Sequence, residues 1–269
     1  MHDPRPGILC AGCPHRAALV AIKEASRGRR GKILCGDAGC PHVGAVHPAA
    51  ATCPGGDAAL PARYRKDIPV DGTTSQPAAP YCIHVILDQE VASADAPGSL
   101  GSLAAEGESV ILAVMASSAG HLERGDVERL GQTVLEIGAG DVAILDPFDI
   151  ARCTDVLSGQ LDEPGVHGAI FASPCARLLL DGEATEPVEV DPHMCVGCQR
   201  CHQITGCPAL SFTPPRYTVD ASMCTGCDLC TGFCRTQIIY SPRNRLSLDE
   251  RRTLRLAAAL AGTGSLENS

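Results

Sequence analysis

The cysteines in the last third of the chain have a spacing that binds metal. The segments "HMCVGCQRCHQITGCPAL" and "SMCTGCDLCTGFCRTQII" are two copies of a CxxCxxC run, each followed by a fourth cysteine. This arrangement is typical of a bacterial two-cluster ferredoxin, in which the fourth thiolate ligates the cluster of the other run. The repeat therefore predicts two [4Fe–4S] clusters. One would be held by Cys195, Cys198, Cys201 and Cys234, and the other by Cys224, Cys227, Cys230 and Cys207.

Each run also contains a glycine, Gly197 or Gly226, where the loop must let backbone N–H groups approach the sulfurs. The alternative is a pair of structural zinc sites with four thiolates each. Zinc sites more often present separated CxxC pairs than triplets, so the pattern favours iron–sulfur clusters. The spacing departs from the standard one because five residues separate Cys201 from Cys207, and Arg235 rather than proline follows Cys234.

A further CxxC, formed by Cys10 and Cys13, lies near the start of the sequence, directly before a predicted helix. Such a pair can be a redox dithiol, half of a zinc site or half of an iron–sulfur site. Two distant cysteines are available as partners, Cys40 in "GDAGCPH" and Cys175 in "FASPCAR". Cys175 follows a predicted strand, at the sheet edge where α/β proteins place their sites.

The composition restricts the class of protein. A chain of 269 residues can form one large or two smaller domains and has no need of disulfides, yet it contains 16 cysteines. We see no signal peptide, and apolar runs such as "SVILAVMA" are too short to span a bilayer. We therefore expect a cytoplasmic protein with reduced cysteines and no membrane span. The net charge of −9 argues against a nucleic-acid partner.

Between the cysteine motifs, the pattern alternates between strands and helices. Short buried strands are predicted at 84–88, 109–117, 142–147 and 167–174. Amphipathic helices are predicted at 126–140, with Val127, Leu130, Val134 and Ile137 on one face, and after Asp149, with Ile150, Cys153 and Leu157 inside. This alternation predicts an α/β fold with an open, mostly parallel sheet. A capping box of Ser247 and Glu250 predicts a C-terminal helix.

We expect three parts in the chain. Residues 1–184 would form the α/β domain with one [4Fe–4S] cluster, residues 185–243 an α+β ferredoxin-like domain with two, and residues 244–269 a C-terminal helix and tail. Four further cysteines have no predicted ligand role. Cys82 and Cys153 are expected to pack in the core. Cys35 and Cys53 are expected in loops, and the sequence leaves open whether they bind a further cluster.

The motifs CAGCPHR, GDAGC, LDQ, DPFD and SPC, followed by the two-cluster segment, resemble the C-terminal half of the alpha subunit of indolepyruvate ferredoxin oxidoreductases. More broadly, the chain is similar to the thiamine-diphosphate domain of 2-oxoacid:ferredoxin oxidoreductases. The resemblance is close at residues 7–53 and 126–240 and poor between about 54 and 105. It implies that Cys10, Cys13, Cys40 and Cys175 hold the cluster next to the thiamine.

The resemblance also points to a degenerate thiamine site. In the family, an aspartate that follows a glycine and an asparagine in an LDN turn hold the Mg²⁺ of thiamine diphosphate. The matching residues are Asp71, which follows valine, and Gln89, which is one methylene longer than asparagine. Pro77 and Pro80 lie between them and oppose the helix that the family has there. The family binds the other half of the cofactor with a further domain, so thiamine binding would need a partner chain.

Three functions are compatible with the sequence. The first is an iron–sulfur electron-transfer subunit of a multi-subunit oxidoreductase, which would pass electrons along three [4Fe–4S] clusters. Its partners would be other oxidoreductase subunits and a ferredoxin-like or flavin electron partner. The second is the catalytic subunit of a thiamine-dependent 2-oxoacid ferredoxin oxidoreductase that a partner chain completes. The third is a binding module held together by zinc.

Overall fold

The computed structural model describes residues 9–29, 31–35, 51–52, 81–91, 109–118, 120, 123–179 and 186–266. The larger part of the described chain is an α/β domain. It is built on a six-stranded sheet with strand order β2-β1-β3-β4-β6-β5. Its strands are β1 (Gly31–Cys35), β2 (Ala51–Thr52), β3 (Tyr81–Leu87), β4 (Ser109–Ala116), β5 (Asp141–Leu145) and β6 (Gly165–Ala172). Every pairing within this sheet is parallel, which confirms the predicted α/β class.

Helices cover both faces of the sheet. They are α1 (Pro14–Ala25), α2 (Asp88–Val91), α3 (Arg124–Glu136) and α4 (Ile150–Asp162). One apolar core joins α1 and α4 to the sheet, and a second core joins α3 to it. All residues of β3 and β4 are buried, because a parallel sheet that is covered on both faces needs apolar side chains on both.

The predicted helices have the expected inner faces. In α3, Val127, Leu130 and Val134 are buried, and the chain leaves the helix at Gly138, whose φ is +114°. The carboxylate of Asp149 caps α4 by accepting a hydrogen bond from the N–H of Arg152 at 3.1 Å. These features confirm the amphipathic pattern and the helix cap that the sequence predicts.

The cysteine-rich part, residues 186–243, is built from small elements around a compact apolar core. The strand β7 (Glu189–Val190) pairs antiparallel with β10 (Ile239–Tyr240), and β8 (Leu210–Thr213) forms a hairpin with β9 (Arg216–Val219). A short helix, α5 (Arg200–Thr205), lies between the two pairs in sequence. The core contains Val188, Leu210, Tyr217 and Ile239 together with the buried thiols of Cys201 and Cys230. The cysteines are thus part of the packing that holds this unit together.

The C-terminal helix α6 (Leu248–Leu266) begins with the predicted capping box. The N–H of Ser247 donates to Oε2 of Glu250 at 2.7 Å, and the N–H of Glu250 donates to Oγ of Ser247 at 3.2 Å. The two reciprocal bonds confirm the prediction. Among the described helices, none has the length and apolar character needed to cross a bilayer.

The four cysteines outside the motifs were expected either in the core or in loops. Cys82 and Cys153 are buried in the sheet and in α4, as predicted for packing residues. Cys35 was expected in a loop and is instead the last residue of β1, because the pairing of β1 with β3 continues to Cys35 and Val85. Cys53 lies outside the described residues.

Candidate metal centres

Thiols of both cysteine runs lie near Cys201 in the cysteine-rich unit. Burial raises the pKa of the Cys201 thiol to about 11, and the neighbouring thiols of Cys234, Cys198 and Cys195 raise it as well. For Cys234, burial alone would raise the pKa, but hydrogen bonds from Thr236, Ile238 and Ile239 bring it below the ordinary value. Cys201 and these neighbours are the four cysteines that the sequence predicts for one cluster, and their role as ligands stays a prediction.

The other four cysteines of the runs, Cys207, Cys224, Cys227 and Cys230, also lie near one another. Burial raises the pKa of Cys227 to about 11, and the thiols of Cys207 and Cys224 raise it further. The pKa of Cys230 is raised by burial and by Cys227, Cys207 and Cys224, with a smaller effect of Cys201 from the other group. Cys201 is thus a thiol of the other group that lies near Cys230.

The two runs adopt the same backbone conformation. Gly197 and Gly226 have φ values of +64° and +58°, and the residues that follow the second cysteine of each run, Gln199 and Asp228, have φ values of +63° and +64°. These left-handed residues give the two runs matching tight turns. N–H groups of the second run and of segments beside the runs face sulfur. Such bonds run from Tyr217 to Cys195 at 3.5 Å, from Gly226 to Cys224 at 3.4 Å and from Ile238 to Cys234 at 3.4 Å. N–H groups that point at thiolate sulfur tune iron–sulfur sites.

A third set of thiols lies at the carboxyl end of the parallel sheet. Cys13 is the residue before α1, and its N–H donates to the carbonyl of Cys10 at 3.3 Å in a tight turn. Burial raises the pKa of Cys13 to about 12, and the nearby Cys175 contributes to this rise. The N–H of Cys175 donates to the carbonyl of Ser117, just beyond β4, at 3.0 Å. Cys13 and Cys175 are thus neighbours, whereas Cys40 lies outside the described residues.

The N-terminal CAGC turn packs directly on the CTGC turn of the second run. Gly12 has a φ of +70°, and a β-carbon at this position would overlap the hydroxyl of Thr225. The space between the two turns encloses about 380 Å³ that atoms do not fill, part of it open to solvent. Its lining includes Cys13 on one side and all four thiols of the complementary group, Cys207, Cys224, Cys227 and Cys230, on the other.

The donor set fits an iron–sulfur cluster in its chemistry. Thiolates are the ligands of [4Fe–4S] clusters, and here they come with N–H donors to sulfur and with burial from water. Among the described residues, no three His, Cys, Asp or Glu side chains converge as the ligands of a single metal ion would.

The described part of the thiamine site does not provide a Mg²⁺ site. Asp71 lies outside the described residues, and Gln89 is an exposed residue of α2. The neighbouring Asp88 is buried, but its two carboxylate oxygens accept hydrogen bonds from the backbone N–H groups of Gln89 and Ser118 at 2.9 and 3.1 Å. These contacts shape the turn after β3 and engage both carboxylate oxygens of Asp88.

Sequence reasoning missed one polar group at this edge of the sheet. The Nε2 atom of His15 lies 2.7 Å from the hydroxyl of Ser117, and both residues are buried beside Cys13 and Cys175. Burial lowers the pKa of His15 to about 4, although Asp88 acts in the opposite direction, so the imidazole is neutral at pH 7. The sequence signal was a histidine two residues after a cysteine, which does not reveal its partner Ser117 just beyond β4.

The fold and the thiol groups define a parallel α/β domain that packs against a unit with two ferredoxin-type cysteine runs. No protein-family model matches the chain. The proteins that it resembles are curated indolepyruvate oxidoreductase subunits IorA. The identity is 25% to the Archaeoglobus fulgidus protein over 88% of the chain, and 27% to the Methanothermobacter marburgensis protein over 86%. It is 25% to the Pyrococcus horikoshii protein over 78%.

The relatives are much longer than this chain. The aligned part covers 40%, 39% and 36% of the Archaeoglobus, Methanothermobacter and Pyrococcus proteins. The matches support the relationship to the alpha subunit that the cysteine motifs indicate.

Proposed function

We propose that the chain is an iron–sulfur electron-transfer subunit of a multi-subunit oxidoreductase of the 2-oxoacid:ferredoxin type. The observation that supports the proposal is that thiols of the two repeated CxxCxxC runs lie near each other, Cys234 near Cys201 and Cys207 near Cys227. Cys10, Cys13, Cys40 and Cys175 would hold a third cluster. When bound, such clusters accept and donate single electrons.

The chain's own residues have three tasks in this proposal. Burial raises the pKa of thiols such as Cys13, Cys201 and Cys227, so their deprotonation would be coupled to metal binding. The N–H donors of Tyr217, Gly226 and Ile238 stabilise negative charge on sulfur. The contact between Gly12 and Thr225 holds the CAGC turn of Cys10 and Cys13 beside the thiol group that contains Cys207. Together these features fix the order in which the groups follow one another.

The proposal is tested by metal analysis of the protein purified and reconstituted under strict anaerobiosis. We expect a brown protein with about twelve irons per chain and EPR signals from several [4Fe–4S] clusters after reduction with dithionite. Cys201→Ser should lose one cluster, whereas Cys82→Ala should keep all of them, because Cys82 is buried in β3 away from the thiol groups. A colourless protein with stoichiometric zinc would contradict the proposal and support the zinc-binding alternative.

A thiamine-dependent catalytic subunit is the second candidate. It is favoured by the names of the relatives and by the polar residues His15 and Ser117 at the carboxyl end of the sheet, where α/β proteins bind ligands. The complex of the chain with its partner subunit should be analysed for thiamine and magnesium. Stoichiometric thiamine would replace the first proposal by this one, whereas iron without thiamine would leave only electron transfer.

A further inference from the structure

Arg16 is a buried cation that joins the two halves of the molecule. It lies on α1, three residues after Cys13, and is only 3% exposed. Its Nε and Nη2 atoms donate to the carbonyl of Cys10 at 3.4 and 3.3 Å, and Nη2 also donates to the carbonyl of Leu9. Its Nη1 atom donates to the carbonyl of Thr205, at the end of α5, at 2.6 Å. One guanidinium thus bridges the CAGC turn and the segment that leads to Cys207.

These partners satisfy the hydrogen-bond donors of Arg16 but do not balance its charge. In the described part of the chain, no carboxylate lies within ion-pair distance of the guanidinium, since every contact it makes is to a backbone carbonyl. A buried charge without a counter-ion is costly, and proteins bury charges with opposite charges nearby. The fold therefore indicates that negative charge is present around Arg16 in the working protein.

The groups that surround Arg16 are thiols. Arg16 lines the space between the two turns, together with Cys13, Cys207, Cys224 and Cys227. Its charge acts on thiols of both sides, because it lowers the pKa of Cys13 and that of Cys207 against the opposing effect of burial. Arg200 and Arg235 lie next to cysteines of the other motifs, but both arginines are exposed, unlike Arg16.

We propose that Arg16 is a positioning residue and the shared counter-charge of two iron–sulfur centres, the one on Cys10, Cys13, Cys40 and Cys175 and the one on Cys207, Cys224, Cys227 and Cys230. This inference rests on the proposed function, because the negative charge belongs to the thiolate-bound clusters. A fixed positive charge favours the reduced state of each centre, which is the more negative one. The centre on Cys195, Cys198, Cys201 and Cys234 lies beyond the other two and should be much less affected.

The test is an EPR-monitored redox titration of the anaerobically reconstituted chain, with signals assigned by Cys195→Ser and Cys224→Ser. In Arg16→Gln, we expect the reduction equilibria of the two adjacent centres to weaken about tenfold, which moves their midpoints about 59 mV lower. The midpoint of the third centre should stay unchanged. Arg200→Gln, which removes an exposed arginine next to Cys201, is the matched control and should leave all midpoints unchanged.

Arg16→Lys separates the effect of charge from that of structure. Lysine keeps the positive charge but loses the planar set of donors, so the midpoints should stay close to those of the unchanged chain. Unchanged midpoints in Arg16→Gln with full iron content would overturn the inference. If Arg16→Gln does not fold, the lysine variant provides the test. A tenfold weakening of the reduction equilibria in Arg16→Lys would overturn the inference as well. An unchanged chain that binds no iron would instead refute the proposed function itself, so the two failures are distinguishable.

Discussion

Arg255 and Asp146 form an ion pair, with Nη2 and Oδ2 2.5 Å apart, between the C-terminal helix and the turn that follows β5. The guanidinium also lies over the ring of Phe148, 4.4 Å from its centroid. One turn earlier on α6, Arg251 donates to the buried carboxylate of Asp228 at 3.0 Å, next to Cys227. The helix therefore contacts both the α/β domain and the cysteine-rich unit, and it fastens one to the other.

Replacing Arg255 by alanine should destabilise the folded chain by about 3 kcal/mol, because a largely buried Asp146 then loses its partner. Urea denaturation of the reconstituted protein measures the loss. Arg124→Ala is the matched control, since Arg124 forms an exposed pair with Glu128 on α3 and its removal should cost less than about 0.5 kcal/mol. Equal costs for the two variants would show that α6 does not fasten the domains.

Gly12→Ala should disturb the contact between the CAGC and CTGC turns. Gly28 provides a control, because its φ of +75° resembles the +70° of Gly12 but nothing lies within 4 Å of a β-carbon there. Gly28→Ala should cost about 1 kcal/mol from the left-handed backbone alone. Gly12→Ala should cost about 1–3 kcal/mol more, because the methyl group also overlaps Thr225. Denaturation curves of the two variants give the difference, and equal costs would argue against the contact.

The fourth cysteine of each run should belong to the centre of the other run. Cys234→Ser should therefore abolish the EPR signal that Cys195→Ser abolishes, although Cys234 lies in the run of Cys224. Cys207→Ser should abolish the signal that Cys224→Ser abolishes. The reason is the proximity of Cys234 to Cys201 and of Cys207 to Cys227. If each fourth cysteine instead removed the signal of its own run, the crosswise ligand sets would be wrong.

Ser247→Ala should destabilise the protein by about 1 kcal/mol, because it removes the hydroxyl half of the capping box of α6. The N–H and hydroxyl of Ser247 hold the pKa of Glu250 below its ordinary value. The variant should therefore also move that pKa upward, which an NMR titration of Glu250 detects. Ser211→Ala, at an exposed position of β8, is the control and should change neither quantity.

Local pattern predicted much of the fold. The inner face of α3, the cap at Asp149 and the capping box of Ser247 each depend on residues within about one turn of one another, and spacing in the sequence reports such relationships directly. The crosswise cysteine groups stay a prediction, which rests on the way a repeated run restricts how its thiols can meet. The error at Cys35 concerned where a strand ends, which depends on pairing with β3 and not on the residue itself.

Contacts between distant segments could not be predicted in this way. Nothing in the sequence near Gly12 indicates that Thr225 packs against it, and nothing near Arg16 indicates a bond to the carbonyl of Thr205. Both depend on how the cysteine-rich unit docks on α1. Arg16, Arg200 and Arg235 all lie close to motif cysteines in the sequence, but only the structure separates the buried Arg16 from the exposed Arg200 and Arg235, because burial is a property of the tertiary structure.

The cysteine runs differ in their access to solvent, and this has a consequence for handling the protein in air. Cys198 is exposed, and its neighbours Met194 and Val196 are 58% and 65% exposed, whereas Cys227, the matching cysteine of the second run, is only partly exposed. Dioxygen would reach the first run sooner than the second. Bleaching in air should therefore proceed in stages, with the centre at Cys198 decaying first and the one beneath the N-terminal turn surviving longest.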